Sequence, residues 1–438
     1  MKIMFQILII SIMILISYQM ISIPFKVKEK KTLTSENLMS QLIENEIYIE
    51  TKVGTPTQNI PLYLKLNEFP TFITSTSCNK NIPSFDQNKS TTYILKEHYE
   101  SEYSLYDFIK GKLSSDTLNL IDSKKKNIQL NDFHFFLAYV LKEGKEEMSG
   151  EIGLKLIELY GNQKTDFMKI LKERNLTEHM VFSILYNDDN KGIFYLGNYY
   201  HNFDGNYNEK DLKKMNVGLR SSNEVQWQLN FDKIIVQNQT LMKPHEVDLS
   251  YEFGLILGDK NYYKKIYELY FNDYKNECVE KKFNNDVYFY IECSTDINIK
   301  KFPELSFLNN DLNYTFSFNG KELFYKFKGK YYFQIIFQTE HTKRWKFGKL
   351  FFKKYQIFFD KDKKIISLYP YIITKSNFTF SWFLVLILIA IIFGILIYIR
   401  LYLTYKKRKI RANELEDEFD YTSQSNVNDN NKNKLLCI

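Results

Sequence analysis

The sequence predicts an all-β fold that carries a few small helices. From Asn45 to Tyr369, short segments rich in Ile, Tyr, Phe and Leu alternate with polar turns, a pattern typical of strands. Helical periodicity is confined to Asp166–Arg174 and Asn261–Phe271. Each half of this region holds a pair of predicted strands, a turn and a later apolar-apolar-Gly segment, so one pattern occurs twice. With 438 residues and 44% hydrophobic content, the chain can bury a large core.

Two apolar runs flank this region and predict the topology. Residues 1–22 begin with Lys2, continue as an apolar run and end near small residues, which is typical of a secretory signal peptide. Residues 378–403 contain an uncharged run, Phe378–Ile399, that spans about 33 Å as a helix and can therefore cross a bilayer. The basic segment Lys406–Arg411 follows this run, which favours a cytoplasmic tail over residues 404–438. We therefore expect a single-pass type I membrane protein whose main domain lies in the secretory lumen, in the endolysosome or outside the cell.

Charge, glycosylation acceptors and cysteines agree with this topology. The formal net charge is +7, but the basic cluster after the predicted span supplies much of it, so no nucleic-acid partner is expected. Acceptors of the form Asn-x-Ser/Thr lie outside the tail, at Asn88, Asn175, Asn238, Asn313 and Asn377. Because the lumen is oxidising, we expect Cys278 and Cys293 to form a disulfide bond. The six histidines form neither an i,i+4 pair nor a cluster with cysteine, so neither a metal nor another cofactor is expected.

Seven segments, in order along the chain, carry the motifs of one known family. The first, Val53–Asn59, reads VGTPTQN. It resembles the Gly-Thr-Pro-x-Gln turn of the pepsin-like aspartic peptidase family. The others are similar to the flap hairpin, the segment behind the first aspartate, the interlobe strands, the Trp-Gln strand, the second active-site turn and the C-terminal block: Ser101–Leu120, Ser149–Ile157, Met180–Tyr200, Val225–Gln239, His245–Gly258 and Trp345–Tyr371. The resemblance implies a bilobal acid protease fold over residues 45–371, with lobes of about 45–190 and 191–371. It also implies that residues 23–44 are a short basic prosegment-like linker, too short for a complete inhibitory prosegment.

The resemblance implies a catalytic pair of aspartates, and the first position is altered. Counted from the VGTPTQN turn, the first aspartate position holds Lys65, while Asp248 stands at the second. Two carboxylates that share one proton carry out hydrolysis in this family, and an ammonium can neither accept nor share that proton. We expect Lys65 and Asp248 to form an ion pair between the lobes. Glu68, three residues after Lys65, or Glu252, four residues after Asp248, could supply another carboxylate, but the resemblance implies that both side chains point away from the site.

Neighbouring family positions have changed as well. The threonines that link the two lobes by hydrogen bonds in the family are replaced by Leu66 and Leu249. The glycines that follow are replaced by Asn67 and Ser250. In the flap hairpin, Tyr103 could supply the tyrosine hydroxyl that contacts substrate, and Tyr106 is an alternative.

Three hypotheses follow for the function. The first is a membrane-anchored pepsin-like homologue that is catalytically inactive and retains a cleft for a peptide or protein ligand. The second is an active aspartic endopeptidase of the secretory or endolysosomal pathway, in which Asp248 works with another group. The third is a lumenal structural protein without a ligand cleft. The sequence leaves the oligomeric state open.

Overall fold

The computed structural model describes residues 20–30, 32–68, 71–78, 81–96, 101–103, 109–141, 148–156, 163–217, 226–237, 239–241, 245–339, 344–370, 391–411 and 413. The strands in these ranges are β1 (Ile21–Val27), β2 (Ile47–Val53), β3 (Gln58–Lys65), β4 (Phe72–Thr74), β5 (Ile94–Leu95), β6 (Ser101–Tyr103), β7 (Ile109–Ile121), β8 (Asn127–Leu141), β9 (Gly150–Gly153), β10 (Val181–Tyr186), β11 (Lys191–Leu196), β12 (Lys213–Asn216), β13 (Gln228–Phe231), β14 (Lys233–Val236), β15 (Gln239–Thr240), β16 (His245–Leu249), β17 (Ile256–Gly258), β18 (Cys278–Phe283), β19 (Tyr288–Ser294), β20 (Leu305–Asn309), β21 (Tyr314–Phe318), β22 (Phe324–Phe327), β23 (Lys330–Phe333), β24 (Ile335–Gln338), β25 (Trp345–Phe347), β26 (Ile357–Asp360) and β27 (Ile365–Leu368). The α-helices of the main domain are α1 (Leu38–Ile43), α2 (Phe167–Glu173), α3 (Tyr263–Phe271), α4 (Gly320–Leu323) and α5 (Lys349–Lys354).

The two helices predicted from periodicity are confirmed. Helix α2 begins after Asp166, whose side chain accepts hydrogen bonds from the backbone N–H groups of Met168 and Lys169 and so caps the helix. Helix α3 follows a 3₁₀ turn and buries Ile266, Tyr270 and Phe271. Helices α1, α4 and α5 were not predicted, because four to six residues are too few to establish a helical period.

The strands form three sheets, of which the largest joins distant parts of the chain. Its strand order is β12-β27-β26-β10-β11-β1-β2-β3-β9-β4-β8-β7-β5, and β6 pairs with β7 at its edge. A second sheet has the order β13-β16-β25-β17-β24-β19-β23-β22, with β18 on β19, and a third has the order β15-β14-β20-β21. The mostly β architecture confirms the predicted fold class. The expected lobe boundary at residues 190 and 191 falls at the end of the β10–β11 turn, inside the largest sheet.

The repeated sequence pattern corresponds to a repeated arrangement of four strands. In the first half, β3 is parallel to β9, β9 is antiparallel to β4, and β4 is parallel to β8. In the second half, β16 is parallel to β25, β25 is antiparallel to β17, and β17 is parallel to β24. The two halves therefore contain the same motif, and β3 and β16 occupy the same place in it.

Aromatic side chains fill the core between these motifs. Trp227 is fully buried and packs edge-on against Phe182 and Phe359, whose rings stack on each other at 5.1 Å. The indole Nε1 of Trp227 donates a hydrogen bond to the backbone oxygen of Leu154 at 2.9 Å, so a residue of the second half is fixed to the first. Rings of this size bury large apolar areas and need a partner for any polar atom, and here both conditions are met.

The C-terminal residues form a separate unit that begins at Ile373. A helix covers residues 391–411. No helix in the described ranges is long and apolar enough to cross a membrane. Residues 371–390, which include the first part of the predicted span 378–403, lie outside the described residues, as do the first 19 residues of the predicted signal peptide.

Candidate functional site

Lys65 lies at the end of β3, where the sequence places the first catalytic position. The neighbour of Lys65 in the parallel strand β9 is Gly153. The backbone oxygen of Lys65 accepts a hydrogen bond from the N–H of Leu154 at 2.9 Å. The side chain of Lys65 is buried, with 9% of its surface exposed. A lysine that is shielded from water to this degree is stable only beside an acceptor or an opposite charge.

Glu252 supplies an opposite charge to Lys65. Its Oε1 lies 3.8 Å from Lys65 Nζ, and its Oε2 lies 3.4 Å from the Ser250 hydroxyl, which donates to it. The expectation that the Glu252 side chain points away from the site is therefore wrong. The turn that follows β16 carries Glu252 back toward the end of β3, a reversal that counting along the sequence does not reveal.

Asp248 lies within β16, one residue before the strand ends at Leu249. Its Oδ1 accepts a hydrogen bond from Gln228 Nε2 at 2.6 Å, and Gln228 is also its neighbour in the antiparallel strand β13. Asp248 is half-buried. The ion pair between Asp248 and Lys65 stays a prediction, as does the catalytic role of Asp248.

The strand register gives a second way to compare the two halves. Gly153 ends β9 and Gly348 directly follows β25, and matching these two glycines matches Glu151 with Lys346. Tyr63 pairs with Glu151, and Asp248 pairs with Lys346, so Asp248 corresponds to Tyr63 by register.

The same comparison brings Ser250 to the position of Lys65. Leu249 pairs with Phe347, which places Ser250 beside Gly348 just as Lys65 lies beside Gly153. The N–H of Ser250 donates to the Phe347 oxygen at 3.0 Å. Matching by residue type and matching by register therefore point to different second-half residues, Asp248 and Ser250.

Asn67, two residues after Lys65, connects the two halves by hydrogen bonds. Its Nδ2 donates to the backbone oxygen of Leu249 at 2.8 Å, and its Oδ1 accepts from the backbone N–H of Trp227 at 2.8 Å. One amide thus makes two hydrogen bonds to the second half. The sequence identified Leu66 and Leu249 as substitutions that remove the family's hydroxyl groups. It gave no sign that Asn67 restores links between the halves.

The segment that precedes β2 packs tightly on the second-half turn. The backbone N–H of Asn45 donates to the Glu252 oxygen at 2.8 Å, and its Nδ2 donates to the Tyr251 oxygen at 2.6 Å. The N–H of Gly254 donates to the Ile43 oxygen at 2.8 Å. A Cβ at Gly254 would lie only 1.9 Å from the Leu42 oxygen, so this approach requires glycine.

The remaining predicted site residues are placed as follows. Tyr103 ends β6 and pairs with Ile109, and its side chain lies outside the described part of the chain. Cys278 and Cys293 form a disulfide bond between the paired strands β18 and β19. Three of the glycosylation acceptors are exposed: Asn88, Asn175 and Asn313. The other two, Asn238 and Asn377, lie outside the described residues. Within the described ranges, no three His, Cys, Asp or Glu side chains are grouped closely enough to hold a metal ion.

The comparison with known families agrees with this architecture. The family model of the eukaryotic aspartyl protease matches residues 46–370, which is most of the 438-residue chain. The chain therefore belongs to the eukaryotic aspartyl protease family. A comparison with curated proteins finds no match.

Proposed function

We propose that this protein is a catalytically inactive aspartyl protease homologue that binds a peptide or protein ligand without cleaving it. The observation that carries the proposal is the buried Lys65 at the end of β3, with Glu252 as a charged neighbour. In an active member, two carboxylates share a proton and position a water molecule. A lysine in place of one of them favours the ionised form of any nearby carboxylate and so prevents proton sharing.

The register of the second half supports the same conclusion. If Ser250 is the counterpart of Lys65, then neither central position holds a carboxylate. The frame around the site is nevertheless kept, because Asn67 and Trp227 still join the two halves by hydrogen bonds. A family fold with altered chemistry and an intact connection between its halves is suited to binding rather than hydrolysis.

The alternative is an acid endopeptidase, and two carboxylates in this region favour it. Asp248 accepts a hydrogen bond from Gln228, and Glu252 lies close to Lys65. A peptidase assay on the full-length protein between about pH 3 and pH 6, near and above the unperturbed carboxyl pKa values, separates the hypotheses. We expect no turnover from the wild type, Asp248→Asn or Glu252→Gln. Turnover that either substitution abolishes would overturn the proposal.

A gain-of-function pair sharpens this assay. Lys65→Asp combined with Ser250→Asp restores two carboxylates if the register identifies the counterpart correctly, whereas Lys65→Asp alone restores a pair only if Asp248 is the partner. A tight-binding peptide inhibitor of this family provides the second readout. Binding without turnover in the wild type supports a retained cleft, and the lack of any binding would favour a purely structural protein.

We also propose a type I topology, with a signal peptide within residues 1–22, a span over residues 378–403 and a cytoplasmic tail over residues 404–438. The described acceptors Asn88, Asn175 and Asn313 are exposed, so a glycosyltransferase can reach them. Digestion of the native full-length protein with peptide-N-glycosidase is expected to increase its electrophoretic mobility. In sealed microsomes, protease should remove only the tail. Loss of the main domain under those conditions would reverse the topology.

A further inference from the structure

A cavity of about 650 Å³ lies apart from the site at Lys65. It lies where the segment before β2 meets the β10–β11 turn and the second half of the chain. We call it the lysine pocket, after the five lysines that line it: Lys30, Lys321, Lys349, Lys353 and Lys354. Neither Lys65 nor Asp248 contributes to its lining. Its volume falls within the range of small-molecule sites.

The lysine pocket carries an excess of positive charge. Its lining contains two carboxylates, Asp189 and Glu322, so its formal charge is +3. Asp189 Oδ1 accepts a hydrogen bond from Lys353 and lies 4.0 Å from Lys349 Nζ, so one carboxylate serves two lysines. Glu322 contacts Lys354 at 2.7 Å. The acids of the lining therefore leave a positive field inside the cavity.

Two of the lysines are held where water is scarce. The Lys349 side chain is 15% exposed, and its Nζ donates to the backbone oxygen of Asp189 at 2.5 Å. Lys30 donates to the backbone oxygen of Gln41, a neutral acceptor. Burial lowers the pKa of Lys349 to about 8, opposed by Asp189 and reinforced by the positive charges of Lys30 and Lys353. Burial also lowers the pKa of Lys30. A negative charge in the cavity would offset the repulsion of Lys349 by Lys30 and Lys353.

The lining of the lysine pocket also contains an apolar surface. Leucine and phenylalanine side chains from four parts of the chain contribute to it: Leu33, Leu42, Leu255, Phe318, Phe324 and Leu350. Inorganic ions would leave this surface against water. A ligand that pairs a charged group with a hydrocarbon or aromatic body would cover it and gain the free energy of apolar burial.

We propose that the lysine pocket binds a small organic anion, with a carboxylate or phosphate group on Lys349 and Lys353 and an apolar body against the leucine and phenylalanine side chains of the lining. The bound anion would connect segments that are far apart in sequence. This function is independent of the proposed peptide-binding function, because the two sites share none of their charged residues.

Lysine footprinting on the full-length protein tests the proposal. The protein is labelled with a water-soluble acetylating reagent, and the labelling rate of each lysine is read by mass spectrometry. Octanoate, phenyl phosphate, inorganic phosphate and the neutral octanol are the added probes. Octanoate and phenyl phosphate should slow the labelling of Lys349 and Lys353 by about fivefold at roughly four times their dissociation constants. Lys233, an exposed lysine of β14, should label at an unchanged rate.

The other two probes identify which part of the ligand matters. Inorganic phosphate should protect more weakly than phenyl phosphate, because it lacks an apolar body, and octanol should not protect. Protection by octanol equal to that by octanoate would show that charge is not recognised and would overturn the proposal. So would an absence of protection, or equal protection at Lys233.

Matched charge reversals complete the test. Lys321 is exposed at the pocket rim, and Lys233 is exposed elsewhere, so Lys321→Glu and Lys233→Glu change the net charge equally. Lys321→Glu should reduce the protection of Lys349 by octanoate, and Lys233→Glu should leave it unchanged. Melting temperatures of both variants verify folding. If both variants are folded and octanoate protects Lys349 equally in Lys321→Glu and Lys233→Glu, the proposal that the anion binds in the lysine pocket is refuted.

Discussion

Asn67→Ala is expected to weaken the connection between the two halves of the domain. The substitution removes both hydrogen bonds of the amide and leaves the backbone N–H of Trp227 and the backbone oxygen of Leu249 without it. Both residues are fully buried, so water cannot readily replace the amide. A buried polar group that loses its partner costs about 1–3 kcal/mol, and the two together should lower the free energy of unfolding by about 2–6 kcal/mol. This is a large part of a typical total of about 5–15 kcal/mol.

Urea unfolding followed by tryptophan fluorescence measures this loss, because Trp227 itself lies at the junction. With an m-value of about 3 kcal/mol/M, the midpoint should fall by about 1 M. Asn67→Asp keeps an oxygen acceptor for the Trp227 N–H but cannot donate to Leu249 when ionised, so it should also destabilise. Asn216→Ala, at an exposed position of β12, serves as the control and should change stability by less than about 0.5 kcal/mol. If the midpoint of Asn67→Ala matches that of Asn216→Ala, the junction does not depend on this amide.

Three further predictions concern stability. Lys361 and Asp166 form a nearly buried ion pair at 2.6 Å. Asp166→Ala should therefore lower the free energy of unfolding, measured in urea, by about 3–5 kcal/mol, because it leaves the lysine buried without its partner. Lys361→Met removes the buried positive charge itself and should lower the free energy of unfolding clearly less. Replacing Cys278 and Cys293 together by serine should lower the free energy of unfolding by about 3 kcal/mol, because the disulfide restricts the unfolded chain. A wild-type urea midpoint that is the same under reducing and oxidising conditions would contradict this prediction. Burial alone would raise the pKa of Asp132, but a hydrogen bond from Lys96 and nearby positive charges outweigh it and lower the pKa from 3.8 to about 2. The folded pKa is the lower one, so Asp132 stabilises the fold above pH 3.8 and loses this contribution as the pH falls toward 2. The difference in urea midpoint between the wild type and Asp132→Asn should therefore be present at pH 7 and vanish near pH 2, and a difference that is independent of pH would refute the argument.

Much of the fold could be predicted because it depends on local patterns. Alternating apolar residues defined the strands, and the period of 3.6 residues identified the segments that became α2 and α3. The pattern that occurs twice predicted that the two halves are similar, but the four strands of each motif were identified only from their pairing. The strand and helix signals are each contained within a short stretch of chain, so neither tertiary contacts nor register is needed to recognise them.

The site was less predictable because it depends on register and on the course of a turn. Asp248 was selected by residue type at a family spacing, whereas the strand pairing matches Ser250 with Lys65. Glu252 reaches Lys65 only because the chain reverses after β16. Asn67 could not be identified as a connector, since its acceptor and donor partners lie 182 and 160 residues away in sequence. The lysine pocket could not be predicted either, because its lining comes from five separate regions of the chain.

The position of β1 has a consequence for proteolytic processing. This strand lies between β11 and β2 and pairs with both, and its residues Ile23 and Phe25 are almost completely buried. Cutting the chain after residue 44, as removal of a prosegment would require, would withdraw a strand from the middle of the sheet. Two rows of backbone donors and acceptors would then be left without partners, the kind of edge that promotes aggregation. Residues 21–27 are thus a permanent part of this fold, and maturation by excision of this segment would open the sheet instead of unmasking a cleft.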